Sequence, residues 1–93
     1  MYEIIRSSRA KKDLRRHEKS GAFPLAKFKL AMVHLRAGEP LPLSFRDHQL
    51  KGSLLLYREF HLAQDILVQY KRDDKLRIII IMKVGTHAEL FGR

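Results

Sequence analysis

The stretch Ile66-Leu67-Val68-Gln69-Tyr70-Lys71-Arg72-Asp73-Asp74-Lys75-Leu76-Arg77-Ile78-Ile79-Ile80-Ile81-Met82-Lys83-Val84-Gly85 decides the fold. Both halves are rich in β-branched and aromatic residues, and the charged Arg72-Asp73-Asp74 between them suits a tight turn. The stretch therefore reads as a hairpin of two strands, residues 66–71 and 76–84. The run Ile78-Ile79-Ile80-Ile81 does not alternate with polar residues, which predicts a central strand covered on both faces by helix or loop. Upstream, residues 54–61 form a third β-prone run, and the three together predict an antiparallel meander. Residues 41–53, next to Pro40 and Pro42 and of mixed polarity, read as a connecting loop that carries Asp47 and His48.

Toward the N-terminus, residues 2–6 are β-prone, and Ser7-Ser8 offers N-cap hydroxyls to a run rich in Lys, Arg and Leu that ends near Gly21. Phe23-Pro24 starts a second helix, with Leu25, Phe28, Met32 and Leu35 on one face and Gly38 and Pro40 ending it. Residues 8–37 are thus two helices joined by a turn about Ser20-Gly21. The fold class expected is α+β, with an N-terminal strand and a two-helix hairpin packed on a small antiparallel sheet, as one domain spanning residues 1–93.

The chain has 93 residues, no cysteine and a net charge of +9. The absence of cysteine excludes a disulfide framework and a Cys-based zinc site, and fits a reducing cytoplasm. No apolar run approaches membrane-spanning length and the first residues do not resemble a signal peptide, so a soluble, cytoplasmic protein with no membrane partner is expected. Up to Arg36 there are ten Lys/Arg against three Asp/Glu, a balance of +7 that leaves +2 for the remainder. The helical hairpin is therefore the part expected to face a polyanion or an acidic partner.

Chemistry is expected further along, where three imidazoles have charged neighbours: Arg46-Asp47-His48, Arg58-Glu59-Phe60-His61 with Asp65 close behind, and Lys83-Val84-Gly85-Thr86-His87. Imidazole is the side chain that exchanges protons near neutral pH unaided, while Lys and Arg hold phosphate, a combination that suits metal-free cleavage of RNA. Strand alternation sets Tyr57, Glu59 and His61 on one face, and pairing across the next turn brings Asp65 close to Glu59 and His61. On the last strand it sets Arg77, Ile79, Ile81 and Lys83 on a common face. His48, His61 and His87 are expected to converge at one edge of the sheet. His17 and His34 read as structural. No H-x-x-x-H spacing supports a zinc site, and no cofactor is expected.

Leu41-Pro42 to Asp47-His48, Leu50-Lys51-Gly52, Tyr57-Arg58-Glu59-Phe60-His61, Asp65 to Tyr70 and Gly85-Thr86-His87-Ala88-Glu89-Leu90-Phe91 together resemble the YafQ-type toxins of the RelE/ParE superfamily. The resemblance covers almost the whole chain. It implies a type II toxin–antitoxin toxin that cleaves mRNA in the ribosomal A site and is neutralised by a cognate antitoxin. It implies catalytic roles for His48, His61, Asp65 and His87, with Lys83 where the family often has Arg. It also matches Glu59 to an acidic position and Phe91 to an aromatic that holds the substrate base, and Glu59, Phe91, Arg58 and Lys51 are the candidate substrate-binding residues. Lys83 keeps a charge but not a bidentate fork, and Ile66 stands where Trp is common.

In such a cleavage a base takes the ribose 2′-OH proton, cations stabilise the phosphorane oxygens, and an acid protonates the leaving 5′-oxygen. His87 is assigned as the acid, His61 or His48 as the base with Asp65 orienting it, and Lys83 as the main cation. The products are a 2′,3′-cyclic phosphate and a 5′-OH. The rival readings are a ParE-like gyrase inhibitor on the same fold, a non-catalytic RNA-binding protein, and a degenerate toxin kept for antitoxin binding.

Overall fold

The computed structural model describes residues 1–54 and 56–92; Leu55, inside the first predicted meander strand, and Arg93 lie outside the described residues. Strand β1 (Glu3–Arg6) is followed by helices α1 (Ser8–Lys19) and α2 (Leu25–Ala37). Ser7 caps α1, its Oγ accepting from Ala10 N–H at 3.0 Å. Gly38, in the left-handed conformation, closes α2. Then come β2 (His48–Gln49), β3 (Arg58–Ala63), β4 (Ile66–Asp73), β5 (Ile78–Gly85) and a short C-terminal helix α3 (His87–Phe91).

The strands form one sheet in the order β1-β5-β4-β3-β2. The meander expected from the sequence is present, and the α+β class with it. The addition is β1, which pairs parallel to β5 and makes β5 an interior strand. The helices cover one face of the sheet. Ala10 and Leu14 of α1 and Phe28, Ala31 and Leu35 of α2 pack on Phe60, Leu62, Val68, Tyr70, Ile79, Ile81 and Val84. Complete burial of an aliphatic side chain of this size is worth about 1.5–3 kcal/mol, so this layer is the main stabilising element.

Several expected boundaries move. The first meander strand begins at Arg58, because Gly52–Leu54 forms a 3₁₀ turn instead. The 41–53 segment is not wholly loop: it contains a 3₁₀ turn at Leu43–Phe45 and the edge strand β2, which pairs with β3. β4 continues through Asp73, whose carboxylate accepts from the Lys75 and Leu76 N–H groups at 2.9 Å and so shifts the turn downstream. The isoleucine run does alternate in burial: Ile79 and Ile81 are fully buried, while Ile78 and Ile80 are half-buried on the face that the helices leave open.

Candidate active site

That open face carries the candidate residues. Register pairs point the same way in a sheet, and His48 pairs with Glu59, Glu59 with Gln69, and Gln69 with Lys83, while His61 pairs with Leu67. The expectation that Lys83 shares a face with Ile79 and Ile81 is overturned. Tyr70 pairs with Ile81 but Gln69 with Lys83, so Met82 is an extra residue on β5, and this β-bulge turns Lys83 away from the core.

Helix α1 satisfies the groups that the bulge frees. Ser7 Oγ donates to the Met82 carbonyl at 2.8 Å, and the Val84 N–H donates to Asp13 Oδ2 at 3.0 Å. Asp13 is fully buried and is held from outside by Arg9 at 3.1 Å and Arg16 at 3.3 Å. Such a side chain looks in sequence like one more charge on a solvated helix. Its signal was position: Ala10, Asp13, Leu14 and His17 share one helical stripe.

His48 and His61 stand with ring centroids 6.2 Å apart. His48 Nδ1 lies 2.8 Å from the Arg46 carbonyl, and His48 Nε2 lies 3.5 Å from Glu59 Oε2. Glu59 is 4% exposed, and Gln69 donates to its Oε1 at 3.2 Å. Arg46, whose backbone is left-handed (φ 50°), sets a guanidinium nitrogen 3.5 Å from His61 Nδ1. Burial and then the Arg46 charge hold the His61 imidazole below its ordinary value of 6.5, with His48 and His87 adding to the effect and Glu59 opposing it. The uncharged form of His61 is thus favoured relative to a free imidazole. One ligand atom from each of His48, Glu59 and His61 falls within 4.8 Å of the others, close enough to hold a transition-metal ion after a small contraction.

His87 arrives from the opposite side, at the start of α3. Its ring lies 4.7 Å from that of Phe91, and its backbone N–H donates to Asp65 Oδ1 at 3.0 Å. Asp65 was expected beside His61. It instead sits in the β3–β4 turn and ties down the helix that carries His87, whereas Glu59 is the carboxylate facing the other two imidazoles. The rest of α3 is built around Glu89, which closes a capping box with Thr86, accepts from His17 Nε2 at 3.1 Å and pairs with Arg16 at 3.1 Å. The Thr86 N–H, then His17 and Arg16, hold the Glu89 carboxyl below its ordinary range. His17 therefore takes a structural contact.

A Cβ on Gly85 would come within 2.7 Å of Glu89 Oε1 and 3.2 Å of Glu89 Cβ. Gly85→Ala is therefore expected to undo the capping box, at a cost of about 0.5–2 kcal/mol. Thermal denaturation measures that cost, and a shift in His87's proton resonances measures the displacement. An unchanged melting point together with unchanged resonances would rule this account out.

The remaining candidates divide. Lys51 is exposed in the segment before the 3₁₀ turn at Gly52–Leu54. Arg58 is not brought to the cluster. One position from Glu59 on β3, it points to the other face, where Asp47 takes its guanidinium at 3.2 Å and also accepts from Tyr70 at 2.9 Å. Ile66, where Trp was expected by resemblance, packs against the core. From the sequence Arg46 was noted only as a charged neighbour of His48, and Gln69 was given no role. Nothing local marks a loop arginine or a strand glutamine as a neighbour of two histidines until the register is known.

Over 53 residues the chain is 45% identical to the mRNA interferase toxin YafQ of Escherichia coli strain K12. This is 57% of this chain and 55% of that protein, so the chain spans about half the length of the curated relative it matches. Its structure is similar to that solved as the E. coli DinJ-YafQ complex, with TM-score 0.86 and 32% identity over 99% of this chain and 100% of that one. It is equally similar to a copper-bound mutant toxin from Helicobacter pylori, with TM-score 0.89 and 30% identity over 98% and 100%. Residues 2–92 also match, in one continuous span, the family described as the bacterial toxin of type II toxin-antitoxin systems, YafQ. A match of that extent, with the sheet order and the histidine-bearing face already in place, makes the chain a member of the YafQ toxin family.

Proposed function

We propose that this toxin is an endoribonuclease that cuts mRNA on the translating ribosome by metal-free acid–base catalysis, and that a cognate antitoxin neutralises it in the cytoplasm. The observation that carries this reading is the gathering of His48, His61, Glu59, Arg46 and Lys83 on the sheet face that α1 and α2 leave open, with His87 on α3 near enough for its charge to act on His61. His87 serves as the acid, His61 or His48 as the base, and Lys83 as a cation for the phosphorane. Asp65 acts through the backbone of His87, and Phe91 supports a substrate base beside the His87 ring. Glu59 and Lys51 complete the substrate contacts. A gyrase inhibitor needs no such cluster. The basic residues exposed on α1 and α2 suit ribosomal RNA or an acidic antitoxin segment, and the E. coli relative is solved in a DinJ-YafQ toxin-antitoxin complex.

Primer extension on a message translated in a cell-free system tests the reading. New, translation-dependent 5′ ends carrying hydroxyl groups are expected. Ends carrying 5′-phosphate, or an intact message, would overturn it.

The H. pylori relative is solved with copper bound, and here one ligand atom from each of His48, Glu59 and His61 lies within 4.8 Å of the others. An ion on those atoms would occupy lone pairs that the proton transfers require. Added Zn²⁺ is therefore expected to slow cleavage, and a zinc-selective chelator, with ribosomal Mg²⁺ kept, is expected to leave the basal rate unchanged. A rate that falls with the chelator alone would contradict metal-free chemistry.

A further inference from the structure

We propose that Arg46 sets opposite tautomers on the two neighbouring imidazoles, making His48 Nε2 the base for the ribose 2′-OH and His61 Nε2–H a donor to the scissile phosphate. This assignment rests on the nuclease reading and decides between the two histidines that it leaves interchangeable.

The argument is one of donors and acceptors. A carbonyl oxygen only accepts, so His48 Nδ1, 2.8 Å from the Arg46 carbonyl, carries the proton, and neutral His48 keeps its lone pair on Nε2. A guanidinium only donates, so His61 Nδ1, 3.5 Å from Arg46 Nη2, presents its lone pair, and the His61 proton sits on Nε2. One residue addresses both rings because its left-handed backbone, φ 50° and ψ 45°, sends the carbonyl toward one and the side chain toward the other. The charged and titratable groups facing His61 are Arg46 from the loop, Glu59 on its own strand, His48 on β2 and His87 on α3.

The step balances. The 2′-O–H bond breaks as N–H forms on His48 Nε2, and the 2′-oxygen bonds to phosphorus. The P–O5′ bond breaks with its electron pair going to the 5′-oxygen, which takes the proton of His87. The imidazolium left on His48 then stands 3.5 Å from the buried Glu59 carboxylate, which only accepts. His61 moves no proton; it donates to a non-bridging oxygen throughout.

Long-range proton–nitrogen correlation spectra of the free toxin at pH 7.5, with histidine labelled, read the tautomers directly. Nδ1–H is expected on His48 and Nε2–H on His61. Arg46→Ala keeps the carbonyl, so His48 should keep its Nδ1–H while His61 loses its bias toward Nε2–H. On translated message, His48→Gln is expected to lose about 10²–10⁴-fold. His61→Gln, whose amide N–H replaces Nε2–H, is expected to stay within about tenfold of wild type, with His61→Ala well below it. Nε2–H on His48, Nδ1–H on His61, or His61→Gln as inactive as His61→Ala would overturn the proposal and leave the nuclease reading standing. A message left intact by the wild-type toxin whose spectra show the expected tautomers would remove the nuclease reading, and the proton-transfer roles with it.

Discussion

His87→Ala is expected to lower the cleavage rate by about 10²–10⁴-fold, the usual contribution of one general acid or base. Little stability should go with it. The ring of His87 is exposed, and the contact that secures the start of α3 is made by its backbone N–H to Asp65, which alanine retains. Surface changes of this kind stay within about 0.5 kcal/mol. Primer extension at matched toxin concentration gives the first quantity and thermal denaturation the second. Cleavage within threefold of wild type would remove His87 from the mechanism. A melting point that collapsed with the activity would reassign it to the scaffold.

Asp13→Ala should do the reverse, striking the fold first and the site through it. The substitution strands the buried Val84 N–H and breaks the ion pairs with Arg9 and Arg16. A buried donor left without its charged acceptor costs about 1–3 kcal/mol, and the lost packing and pairing bring the total to about 2–4 kcal/mol. For a domain of this size that is roughly 10–25 °C in melting temperature. Asp13→Asn keeps an oxygen for the Val84 N–H and loses the charge, so it should fall between Ala and wild type. A loss under about 0.5 kcal/mol for Ala would mean that the bulge does not depend on α1.

The sequence was most informative where one kind of residue has one kind of fate. The apolar spacing of α2, the Ser7 cap and the β-branched runs of β4 and β5 gave the element order and the class of fold. It was least informative where a single residue changes parity. Alternation carried past Met82 puts Lys83 in the core beside Ile81, and only the bulge, held by Ser7 and Asp13 from the far end of the chain, reverses this. Glu59 stayed beside the imidazoles as the alternation implied, but Asp65 left them, because it lies on the turn and accepts from the His87 N–H at the start of α3 instead of continuing the strand. The helix α3 was legible and passed over: Thr86 and Glu89 are spaced as a capping box.

The clamp on the bulge joins residues 71 and 75 positions apart. A one-residue slip of β5 would return Lys83 to the parity of Ile79 and Ile81 and exchange the two faces beyond it. Ser7 and Asp13 hold the backbone of Met82 and Val84 in the bulged register, so the placement of Lys83 depends on the docking of α1. The position of a candidate catalytic cation is thus set by side chains from a distant part of the chain.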